Sequence, residues 1–134
     1  MKKIILFIAL VFSTIAIAQQ KSITAIDSCE SIKETILFKK NAHASYYHDK
    51  FNGRKTASGR RFNNDELTAA HKKFPFGTIL KVTNEANKKF AIVKVTDRGP
   101  FVKGREIDLS KRAFMDIASN KKSGLVYVTI EILK

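Results

Sequence analysis

The sequence predicts an all-β domain, a small closed barrel carrying two short helices. Three observations predict it. Apolar and polar residues alternate over Thr78–Asn84 and Phe90–Val95, the two-residue period of half-buried strands. A third apolar run, Leu125–Leu133, closes the chain. Only two short segments read as helix, too few to build a helical layer, so strands must enclose the core themselves.

Taken in order, Ala42–Tyr47 suits a strand of small and aromatic residues. Phe51–Asn64, punctuated by Gly53 and Gly59, reads as a long ordered loop. Asp65 and Glu66 lead into Leu67–Lys73, which reads as a short helix, acidic at its start and basic at its end. Pro75 and Gly77 stop it. Glu85-Ala86-Asn87 turns the strand from Thr78 back into the strand from Phe90, a hairpin. Arg105–Leu109 is a short strand. Ser110 then caps a helix over Lys111–Ala118 that places Ala113, Phe114 and Ile117 on one face.

Residues 1–18 fall outside this domain. A basic Met1-Lys2-Lys3, an apolar run and Ala16-Ile17-Ala18 form the pattern of a secretory signal peptide. Its removal from the 134 residues leaves 116, enough for one modest core. Residues 19–41 read as a linker or N-terminal helix, and residues 42–134 as the domain. Cys29 is alone, so no internal disulfide is available, and it stands too far from the apolar run to be a lipobox cysteine. The expectation is an exported, soluble monomer of the periplasm or cell envelope, without a transmembrane span. The 25 Lys and Arg against 12 Asp and Glu give a net +13. That field attracts polyanions. Export makes anionic wall polymers or lipid headgroups nearer partners than nucleic acid.

One stretch raises a chemical question. In Val93–Phe101, an alternating strand runs directly into Asp97-Arg98-Gly99-Pro100. An aspartate before such a turn can cap it with its own side chain, or it can present a carboxyl group at a strand mouth. Asp108, between Ile107 and Leu109, points away from both; it can pair with Arg98 or Arg105, or face a ligand. Tyr46 and Tyr47 point to opposite faces of their strand, so one belongs to the core and the other can stack on a ligand. No Cys, His and acid cluster has metal-ligand spacing, and no cofactor is implied.

The blocks ASYY (44–47), TASG (56–59), LTAAH (67–71), PFGT (75–78), VTN (82–84) and DRGPFVKGREIDLS (97–110) stand in an order and spacing that resemble the rare lipoprotein A family. The resemblance implies a six-stranded double-psi β-barrel. It implies an endolytic peptidoglycan lytic transglycosylase that prefers glycan strands stripped of stem peptides, with a role in septal wall processing. It implies that Asp97 and His71 are catalytic. In this picture His71 shares the glycan groove, where it orients Asp97 or donates to an acetamido group, while Tyr46, Ser58, Thr68, Arg98 and Asp108 bind substrate.

Two positions depart from the family pattern. Arg60 stands where the family has Glu, and Asn63 where it often has Asp. Glycoside hydrolysis ordinarily needs two carboxyl groups. Lytic transglycosylation needs less, because the nucleophile is the C6 hydroxyl of the same N-acetylmuramic acid. A single carboxyl, Asp97, can protonate the leaving oxygen and then accept the C6 proton. The other reading, favoured by Arg60 and Asn63, is an expansin-like module that binds peptidoglycan without cutting it.

Overall fold

The computed structural model describes residues 34–134; the expected signal peptide, Cys29 and most of the expected linker lie outside them. Six strands form the barrel: β1 (Thr35–Tyr46), β2 (Thr68–His71), β3 (Ile79–Asn84), β4 (Phe90–Asp97), β5 (Ile107–Leu109) and β6 (Val126–Leu133). They close in the order β1-β5-β2-β4-β3-β6. The pairs β1–β5 and β2–β4 are parallel, and the other four are antiparallel. One helix, α1 (Lys111–Ile117), packs against β4, β1 and β5.

Strand alternation fills the interior. Ala42 and Ala44, Leu80 and Val82, Val93 and Val95, Ile107 and Leu109, and Val128 and Ile130 are all buried in one core. Phe114 and Ile117 of α1 complete it. The β3–β4 hairpin forms as its alternation requires, paired from Ile79 with Lys94 to Thr83 with Phe90. Ser110 caps α1: its side chain accepts from the Ala113 N–H, satisfying a donor the helix leaves free.

Two expectations need correction. The segment Leu67–Lys73 is not a helix; Thr68–His71 is a strand, buried at all four positions. It lies between β4 and β5 and bonds to both. Helix propensity is a weak preference that a buried place in a ladder overrides. Among the described residues there is therefore one α-helix rather than two, with a single 3-10 turn at Asp49–Phe51. The second correction concerns the start of the barrel. β1 begins at Thr35, inside the expected linker or helix, and its first seven residues are exposed. Those residues are ordered by pairing with β6, from Thr35 opposite Leu133 onward. An exposed strand carries no hydrophobic period to announce it.

Candidate functional site

The barrel register sets two faces of the sheet against each other. Residues directly opposite on paired strands share a face. Ser45 lies opposite Asp108, Asp108 opposite Ala70, and Ala70 opposite Asp97. These four form one row across β1, β5, β2 and β4. Ala44, Ile107, Leu109 and Ala69, beside them along the chain, are core, so the row lies on the outer face of the strands, although Ser45, Ala70 and Asp108 are themselves buried and only Asp97 is half-buried. A slip in the β2–β4 register between Ala69 and Ala70 brings Asp97 into the row.

Asp97 is held by three donors. The Tyr47 hydroxyl donates to Oδ2 at 2.7 Å. The backbone N–H groups of Ala57 and Arg98 donate to Oδ1, each at 2.9 Å. The Ala57 contact comes from the TASG loop, which is folded over the end of β4. There the Ser58 N–H donates to the Thr96 carbonyl at 3.3 Å, and the Thr56 and Ser58 hydroxyls share a 2.8 Å hydrogen bond. Tyr47 is wedged between Phe51 and Phe62. Burial, then its bond to Asp97, pushes the phenol far up, so it stays a proton donor.

Asp108 is the second carboxyl group of the row. Its Oδ2 meets Arg105 Nη2 at 3.2 Å. Its Oδ1 is buried with no partner among the described residues. Burial raises its pKa, and the nearby Asp97 adds to this while Arg105 opposes it.

The other expected site residues divide. Thr68 stands two positions before Ala70 and borders the row on the same face, its backbone tied to Ser110. Arg98 turns away. Its guanidinium donates to the Phe74 carbonyl at 2.9 Å and lies over the Phe76 ring, so it pins the loop after β2. Tyr46 packs inward against Phe114, with ring centroids 4.6 Å apart. Tyr47, not Tyr46, is the tyrosine that reaches the acid.

His71 does not orient Asp97. It stands opposite Ile107 on the inward row and is fully buried. Its ring stacks on Phe74 and meets the edge of Phe38. Nδ1 accepts from the N–H groups of Lys73 and Phe74, at 3.1 and 3.4 Å, so the ring proton sits on Nε2. Nε2 lies 3.3 Å from Glu106 Oε1. Burial lowers the imidazole pKa against the pull of Glu106, which keeps the ring neutral. Glu106 also holds Lys39 at 2.6 Å.

Sequence reasoning missed Asn64. This buried side chain donates to the Tyr47 carbonyl and to Asp49, and accepts from the Lys111 N–H. It ties the long loop to the end of β1 and to the start of α1, and so sets where Tyr47 sits. An asparagine just before an acidic pair was its only signal in the sequence. Arg60 is exposed at the end of the TASG loop, and Asn63 is used in a turn, its Oδ1 accepting from the Asp65 N–H.

Residues 39–130 match the family model described as lytic transglycolase. The chain belongs to the lytic transglycolase family. Among its relatives, the endolytic peptidoglycan transglycosylase RlpA of Pasteurella multocida is 46% identical over 78% of this chain and 35% of its own length. The probable endolytic peptidoglycan transglycosylase RlpA of Aquifex aeolicus is 54% identical over 63% of this chain and 34% of its own. The chain thus spans about a third of the length of these relatives. Of solved structures, the expansin of Clavibacter michiganensis matches 75% of this chain and 51% of its own, with a TM-score of 0.57 and 20% identity. The Streptomyces papain inhibitor matches 79% of this chain and all of its own, with a TM-score of 0.55 and 22% identity. At such identities the two structures speak for the barrel fold alone. The resemblance to rare lipoprotein A and the double-psi barrel it implied are both borne out.

Proposed function

We propose that this domain is an endolytic peptidoglycan lytic transglycosylase that cuts between N-acetylmuramic acid and N-acetylglucosamine in peptide-stripped strands. The observation that carries the reading is the outward row holding Asp97 and Asp108, with Asp97 fixed by three donors at its accessible end. Asp97 is the acid and then the base. The protonated carboxyl gives its proton to the glycosidic oxygen as the C1–O bond breaks. The C6 hydroxyl oxygen of the same muramic acid attacks C1 and closes the 1,6-anhydro ring. Its proton passes to the Asp97 carboxylate, which restores the starting acid. No water is consumed. Asp108 acts through its neighbours: with Arg105 it sets the charge behind Asp97. Ser58 and Thr68 border the place the sugar takes.

The basic and apolar leader supports export to the cell envelope, and the net positive charge suits an anionic wall. The domain acts as a monomer, with no cofactor. The alternative, an expansin-like binding module, draws on Arg60 in place of a carboxylate.

Sacculi, intact and amidase-stripped, incubated with the purified protein and with Asp97→Asn, decide between them by mass spectrometry. Products ending in 1,6-anhydro-N-acetylmuramic acid, absent with Asp97→Asn, are expected. Reducing ends instead would mean hydrolysis. Co-sedimentation without products would mean a binding module.

A further inference from the structure

A cleft on the β6 side of the barrel takes no part in the chemistry above. It encloses about 320 Å³ and is lined by Lys39, Asn41, His43, Gly104, Glu106 and Tyr127 among others. That is within the range of about 300–1,000 Å³ typical of small-molecule sites. Its wall is aromatic. His43 and Tyr127 are partners across β1 and β6, with ring centroids 4.6 Å apart and planes tilted by 40°. Tyr127 is 53% exposed, although it sits mid-sheet beside the buried Val126 and Val128. Its rim is polar. Glu106 offers one oxygen to Lys39, and its other lies 3.3 Å from the buried His71 Nε2 without a hydrogen bond. Asn41 adds an amide where the β1 ladder slips between Lys39 and Ala42, its backbone in the left-handed region at φ 52°.

The cleft borders the strand on which the acid row begins. His43 and Ser45 are two apart on β1 and share its outer face. Ser45 begins the row that ends at Asp97. The barrel is closed, so β6 lies two strand spacings from β4 by way of β3, and four, about 19 Å, over the strands that carry the row. A glycan that follows the row from Asp97 to the cleft is longer than a disaccharide.

We propose that the cleft is a distal glycan subsite, which holds an N-acetylated pyranose of the strand being cut. This rests on the transglycosylase reading. The flat C–H face of a pyranose is apolar and ring-sized, which suits Tyr127 and His43. Its hydroxyl and acetamido groups suit a carboxylate, an ammonium and an amide at the rim. A few placed polar groups around an aromatic wall is the composition that fixes a ligand's orientation.

The test separates the subsite from the chemistry by working in the Asp97→Asn background, where bound strands stay whole. Calorimetry would measure affinity for a GlcNAc–MurNAc disaccharide and for longer stripped strands, with Tyr127→Ala, Tyr127→Phe and Glu106→Gln added in turn. Tyr127→Ala should weaken long-strand binding about two- to tenfold, the scale of one lost aromatic contact. It should leave the disaccharide unchanged, and Tyr127→Phe should restore the long-strand affinity. Glu106→Gln should weaken long strands only. Equal long-strand affinity in Tyr127→Ala overturns the subsite while leaving the enzyme reading intact. Equal loss for both ligands overturns it too, since a distal contact cannot matter to a disaccharide. If the Asp97→Asn parent binds no strand at all, the enzyme reading fails and the subsite with it.

Discussion

Tyr47 shows how much one hydroxyl can decide. Its ring is clamped by Phe51 and Phe62, its carbonyl is held by Asn64, and its phenol is aimed at Asp97. Replacing it by Phe keeps the packing and removes the one donor to Oδ2. A hydrogen bond to a charged group contributes about 1.5–3 kcal/mol. Tyr47→Phe should then lower kcat about ten- to a hundredfold, with melting temperature little changed, as anhydro-product release would measure. At this scale the sequence was half legible. Alternation shows that adjacent tyrosines point opposite ways, but not which one points out. That depends on the register with β5, where Tyr46 pairs with the buried Leu109. His71 was misread for the same reason. Its motif marks it, yet facing inward or outward is a matter of strand pairing, and the segment reads locally as a helix.

The elements that place the site are short, and their order is fixed by what pins their ends. β2 has four residues and β5 has three, yet together they carry Ala70 and Asp108. Ser110 locks them: its N–H donates to the Thr68 carbonyl, and its hydroxyl donates to Glu66, accepts from the Thr68 N–H and caps α1. Ser110→Ala removes the cap and the tie to β2 at once. A lost cap alone costs about 0.5–2 kcal/mol. The full loss should lie at or above the top of that range, measured by urea unfolding, because the Glu66 carbonyl loses its donor too. The cap was readable, since a serine before an amphipathic run has one local meaning. The tie to β2 was not, because it joins residues 42 positions apart. The β3–β4 hairpin was legible throughout for the converse reason: its partners are neighbours in sequence, and its alternation is intact.

For the whole molecule, the charge balance and the buried groups make stability depend on pH in a definite sense. His71 has its pKa lowered below its ordinary 6.5 by burial, so near and below that pH the unfolded chain binds the extra proton. Stability therefore falls as pH drops through this range, and is fully present above it. Glu106 acts lower down. Burial pulls it up, but the hydrogen bond and charge of Lys39, with His71, hold it below its ordinary 4.5. Its contribution is present above about that value and is lost as pH falls further. Asp108, raised by burial, works the other way and gains as its carboxyl protonates. The net profile should hold level at neutral pH and step down first below about 6.5. His71→Asn isolates that step. The amide oxygen of Asn can take the place of Nδ1 and accept from Lys73 and Phe74, but it does not titrate. Urea midpoints measured across pH should show the first step in the parent protein and not in His71→Asn, while the lower step from Glu106 persists in both. An unchanged first step in His71→Asn would assign it to another group and remove the neutral, buried imidazole from the account of the barrel's stability.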